Sequence, residues 1–90
     1  MDFDLDYVKN LLRVDESWDD DRIQLLIDSV GKYVETATGI PEEKQKDIPL
    51  VNVLKGYLVR LWYDDEDKTG DMQRTIDSLT KTLTVIGREA

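Results

Sequence analysis

Ile48-Pro49-Leu50-Val51-Asn52-Val53-Leu54-Lys55-Gly56-Tyr57-Leu58-Val59-Arg60-Leu61-Trp62-Tyr63 is the stretch whose reading decides the fold. Pro49 suits the first turn of a helix, where its missing N–H is not needed. Beyond it, Leu50, Leu54, Tyr57, Leu58, Leu61 and Trp62 recur at the three- and four-residue steps of a buried helical face. The polar remainder is one thin stripe of Asn52, Lys55, Gly56 and Arg60, and at about 100° per residue Val59 and Tyr63 fall inside it. A helix apolar on most sides must be surrounded. The expectation is therefore that the other helices wrap this one and leave a remnant for other subunits.

Working outward, the segments before and after it also read as helices. Asp4 is a good N-cap for a helix over Leu5–Arg13, with Phe3 placed to staple onto Val8. A second helix runs to Thr38, and its start has two readings, a Ser17–Asp20 capping box or an Asp19 cap. The Asp19 cap is preferred because it places Trp18 as a staple over Ile23 and repeats the device at Phe3. Asp20 and Asp21 then lie in the first turn, where the helix dipole favours negative charge. Ile23, Leu26, Ile27, Val30, Tyr33 or Val34, and Ala37 trace one face, and Gly39 is placed to end the helix in the left-handed conformation. Gly31, costly in mid-helix, predicts a close helix–helix approach.

Residues 40–47 read as a polar, mobile connector. After the stretch quoted first, the run from Asp64 to Gly70 breaks the chain. A last helix follows from Asp71 to Ile86 along Met72, Ile76, Leu79, Leu83 and Ile86. Its end is left open between helix and extended chain, since Thr80, Thr82, Thr84 and Val85 are poor helix formers. The expected fold is all-α: a small four-helix bundle with a central apolar third helix, forming a single domain over residues 1–90.

Charge and composition bound the function. The chain has 90 residues and a net charge of −8. Residues 1–47 hold 13 acidic against 6 basic side chains, a net of −7, while residues 48–90 hold 7 against 6, a net of −1. Such a front half repels phosphate backbones, which disfavours ordinary nucleic-acid binding. The acidic N-terminal start does not resemble a signal peptide and no apolar run has the length of a membrane span, so the expectation is a soluble, cytoplasmic protein.

Catalytic constellations are missing from the sequence. With no histidine and no cysteine, the common zinc sites, Ser-His-Asp and Cys-His systems are excluded. The glycines at 31, 39, 56, 70 and 87 form no phosphate loop. Asp65-x-Asp67-x-Thr69-Gly70 matches four positions of a calcium loop, but its twelfth position is Ile76 where a bidentate glutamate is needed. The expectation is no catalytic residue, no metal and no cofactor. Val59, Tyr63, Trp18 and Arg60 are the candidate residues for an oligomer interface, because aromatic and arginine side chains are enriched at interface centres.

The order of these motifs resembles a known family. A short helix ends in Leu11-Leu12-Arg13-Val14-Asp15, and the acidic run Asp19-Asp20-Asp21 opens a long helix that closes on Tyr33-Val34-Glu35-Thr36-Ala37-Thr38-Gly39. An apolar helix then closes on Leu61-Trp62-Tyr63. Over residues 5–63 this looks like the tailed-phage head–tail connector proteins, the small helical adaptors that join the portal to the neck. Where the family often carries basic residues after the Trp-Tyr pair, this chain has Asp64 to Asp67, and Arg88 is what remains of the family's turn-and-arginine ending.

The resemblance implies a structural adaptor of the virion, present in the host cytoplasm before assembly. It implies a homo-oligomeric ring between the portal protein and the neck or tail completion protein. DNA would pass through that ring without specific binding, and no membrane would be involved. The competing expectation is a small acidic inhibitor that mimics DNA and occupies a basic protein site.

Overall fold

The chain begins its first helix where the sequence provides a cap. In the computed structural model, which describes residues 3–64 and 70–89, α1 spans Leu5–Leu12 and the Tyr7 N–H donates to the Asp4 carboxylate at 2.9 Å. Phe3 packs beside Tyr7, ring centroids 5.5 Å apart, and both lean on the core that contains Val8. The helix closes with Arg13 at φ 59°, and the Val14 N–H reaches back to the Lys9 carbonyl at 2.9 Å. This is a Schellman close with arginine at the left-handed position that glycine normally takes.

Helix α2 spans Asp20–Thr38 and ends at Gly39 with φ 80°, its N–H bonded to the Glu35 carbonyl at 2.8 Å. Asp19 precedes the helix as expected but makes no side-chain cap bond. Trp18 is no staple: it is 77% exposed, while Ile23 is fully buried without it. The connector after α2 also departs from expectation. It contains the short helix α3, Glu42–Gln45, and is tied down at both ends of that turn. Ile40 is buried, and the buried Gln45 amide donates to the Gly31 and Ile40 carbonyls, each at 3.0 Å. Gly31 does mark a close approach, but to α3: a Cβ there would lie 2.7 Å from a carboxylate oxygen of Glu42.

Helix α4 spans Pro49–Asp64 and α5 spans Asp71–Glu89. The end of α5 is helical, not extended. The hydroxyls of Thr75, Thr80, Thr82 and Thr84 donate to the carbonyl four residues back, at 2.7–3.1 Å, so β-branched residues are accommodated within the helix. Gly87 lets α5 cross the end of α2, since a Cβ there would stand 2.5 Å from the Thr38 carbonyl oxygen. The calcium-loop reading at Asp65, Asp67 and Thr69 lies outside the described residues.

The fold is all-α, and among the described residues there are five helices, four long enough to carry the core and one short turn. Helix α4 packs on α1, α2, α3 and α5. Its Val51, Leu54, Leu58 and Val59 join Val8, Ile23, Val30, Val34, Ile40, Ile76 and Leu83 in one buried cluster. The body measures 41 × 31 × 18 Å. Its least dimension is about two helix diameters, so α4 belongs to a two-layer body and one side of it stays open.

The open side is not the one expected. The stripe of Asn52, Gly56, Val59 and Tyr63 is a helix seam: the side chain of Leu11 sits where a Gly56 Cβ would meet it at 3.2 Å, and Val59 is fully buried. The exposed arc instead carries Leu50 (39% exposed), Val53 (46%) and Arg60. Glycine in the polar stripe admitted α1, and that turned the apolar remnant toward Val53.

Candidate protein–protein interface

Two features mark the surface around α4. The first is a groove between α1 and α4, floored by Leu11 and Gly56 and walled by Tyr7, Val53, Tyr57 and Arg60. It continues past Leu12 to Arg13, so that Arg13 and Arg60 border one hollow at its far end. Tyr7, Leu11 and Tyr57 are half-buried, and Arg13 and Arg60 are exposed. Neither arginine has a carboxylate partner among the described residues. From Pro49 to Tyr63 the sequence of α4 contains Lys55 and Arg60 and no acid. In a chain of net charge −8, this wall of the groove presents cations and no carboxylate.

The second is the pair Tyr33 and Trp62, in edge-to-face contact with centroids 5.4 Å apart beside Ser29 and Thr36 of α2. Tyr33 is 47% exposed and Leu25, on the same helix, 64%. Leu25, Ser29, Lys32, Tyr33 and Thr36 form the outward stripe of α2, with Asp21, Asp28 and Glu35 along one side of it, and Asp28 lines the hollow beside Tyr33 and Trp62.

The four residues expected at an interface are not gathered into one patch. Trp18 stands exposed on the α1–α2 turn, and Arg60 lines the groove. Tyr63 is half-buried in a clasp: its hydroxyl donates to Asp19, its carbonyl accepts from Arg22 at 3.1 Å, and the Arg22 guanidinium stacks 4.8 Å above its ring. Val59 has no surface to offer a neighbour. The groove residues that sequence reasoning missed are Tyr7, Leu11 and Val53. The signal for them was Gly56, whose missing side chain makes room for a second helix.

Charged pairs elsewhere fix the helices. Lys9 meets Asp20 at 2.8 Å and joins α1 to the first turn of α2. Lys55 is half-buried near the Phe3 ring, its ammonium 5.5 Å from the centroid. Burial holds the Lys55 pKa below its ordinary value of 10.5, outweighing the Glu42 carboxylate, which pulls the other way.

Among the described residues no group of three or more acidic side chains is arranged to hold a metal ion, and no helix is long and apolar enough to cross a membrane. What this arrangement offers chemically is contact: a mainly apolar groove with one cationic end, an aromatic edge and an acidic remainder.

No curated protein and no solved structure matches the chain. The family described as phage gp6-like head-tail connector protein matches residues 2–84, which takes in α1 to α4 whole and most of α5. A match over that share of the sequence is decisive, and the chain belongs to the phage gp6-like head-tail connector protein family.

Proposed function

We propose that this chain is a structural adaptor of the phage head–tail connector, assembling as a ring between the portal protein and the neck or tail completion protein. The family match over residues 2–84 carries this reading, because that family is structural and not enzymatic. The surface supports it in two ways. An apolar remnant on α4 and the exposed Leu25 and Tyr33 on α2 give neighbouring proteins something to bury. The acidic remainder repels phosphate, which suits a passage that DNA slides through without sticking. On this reading the protein resides in the virion and in the host cytoplasm before assembly.

Mixing the full chain with purified portal protein tests the proposal. Electron microscopy and native mass spectrometry should reveal several copies seated on the portal. Recovery of an unbound monomer at every stoichiometry would sink it. Monomers in the absence of portal are compatible with it, since the portal supplies the template.

A further inference from the structure

We infer that the α1–α4 groove receives the Trp18 turn of a second copy of this chain. This rests on the ring reading above and names the contact that would hold neighbours together.

The groove is apolar at Tyr7, Leu11 and Val53, with Asn52 beside them, and Arg13 and Arg60 stand exposed at one end with no carboxylate partner among the described residues. A fitting occupant is one large apolar side chain flanked by acids. The chain itself carries that segment in Asp15-Glu16-Ser17-Trp18-Asp19-Asp20-Asp21. Trp18 is 77% exposed, more than any other large hydrophobic residue described. Asp15, Glu16 and Asp21 beside it are exposed and make no ion pair among the described residues.

Tryptophan, with tyrosine and arginine, is enriched at the energetic centres of interfaces, where it serves as an anchor in a pocket. Its indole would lie against Leu11 and Val53, with Asp15 and Glu16 facing Arg13 and Arg60. Trp18 is not among the residues lining its own groove, so knob and groove are different patches of one surface. Such a contact is heterologous: each copy offers its knob to one neighbour and its groove to the other. Contacts of that kind propagate and close into rings when the rotation allows.

The absence of cysteine makes a disulfide trap clean. Full-length Ser17→Cys and Val53→Cys proteins, both altered at exposed positions with Trp18 retained and checked for helicity by circular dichroism, are mixed under mild oxidation. The heterodimer should form at least about ten-fold faster than from Ser17→Cys with Ser78→Cys, a control at an exposed position of α5 outside both candidate patches. Adding Arg60→Glu to the Val53→Cys partner should slow it about ten-fold. A chain with both cysteines should give a ladder of linked oligomers.

Equal rates for the paired and control positions, or indifference to Arg60→Glu, overturn the inference. If no trap forms while Trp18→Ala abolishes capture by portal protein, Trp18 docks on the portal, and the second-copy contact is wrong although the connector reading stands. If instead the wild-type chain never binds portal, the connector reading fails and the trap reports on the contact by itself.

Discussion

The Tyr63 hydroxyl donates to Asp19 Oδ2 at 2.5 Å across 44 positions of sequence, and so closes the end of α4 onto the start of α2. The same tyrosine lies under the Arg22 guanidinium. A hydrogen bond to a charged acceptor contributes roughly 1.5–3 kcal/mol, and the lower end applies to this part-buried pair. Tyr63→Phe keeps the ring and the stacking while removing the bond. It should lower stability by about 1–2 kcal/mol, measured as a shift of the urea midpoint at constant slope. An unchanged midpoint would show that the hydroxyl bond contributes nothing.

Two glycines should respond in opposite directions to the same change. At Gly87 a Cβ would meet the Thr38 carbonyl oxygen at 2.5 Å and the Ile40 side chain at 3.1 Å. Backbone cannot move aside cheaply, so Gly87→Ala should destabilise by about 1–3 kcal/mol in spite of alanine's better helix propensity. At Gly31 the obstacle is the tip of the exposed Glu42 side chain, which can rotate away. Gly31→Ala should be neutral or stabilising by up to about 1 kcal/mol. Thermal unfolding of the two variants side by side decides between them.

Gln45 holds the connector between α2 and α4 through its two amide bonds to the Gly31 and Ile40 carbonyls. Gln45→Ala would remove both and leave a void beneath α3. The expected loss is about 2–4 kcal/mol, the sum of unmade bonds and a buried cavity. Amide exchange over residues 40–47 should accelerate more than exchange in α4. Uniform acceleration across the chain would mean that the connector has no local stability of its own.

Lys55 sets a pH dependence whose sign follows from its burial. Its folded pKa is lowered below 10.5, chiefly by desolvation, so the folded state holds the charged form less readily than the unfolded chain does. Below the folded value the protein carries the full cost of a half-buried ammonium. As pH rises through that value toward 10.5, the unfolded chain binds more protons and the cost fades. Lys55→Met should therefore stabilise at pH 7, and its advantage should shrink toward pH 10. Denaturant midpoints of both proteins at the two pH values check this.

Much of the architecture is legible in local chemistry. Asp4 as a cap, Gly39 as a left-handed stop and Pro49 as a first-turn residue mark helix ends that the structure reproduces within a residue. What the sequence hid is tertiary. A helical wheel puts Val59 among polar residues, and only the arrival of Leu11 over Gly56 shows that this stripe is a seam. Helix α3, at four residues, is too short for any periodicity to announce it. Nothing in Leu12-Arg13-Val14 foretells a left-handed arginine, because the residue usually found there is glycine. Trp18 followed the staple pattern by position, yet Ile23 is already covered by the core and leaves the indole outside.

The acid-free run from Pro49 to Tyr63, set in a chain of net charge −8, gives ionic strength two opposed roles in any pairing of copies. Mutual repulsion acts across the separation of whole bodies and fades once the Debye length falls to about 8 Å near physiological salt. Guanidinium–carboxylate contacts act at touching distance and yield later. Association between copies should accordingly strengthen from dilute buffer to moderate salt, pass through a maximum and decline in concentrated salt. Sedimentation across a salt series would trace that curve, and a steady decline from the lowest salt would mean that attraction dominates at long range as well.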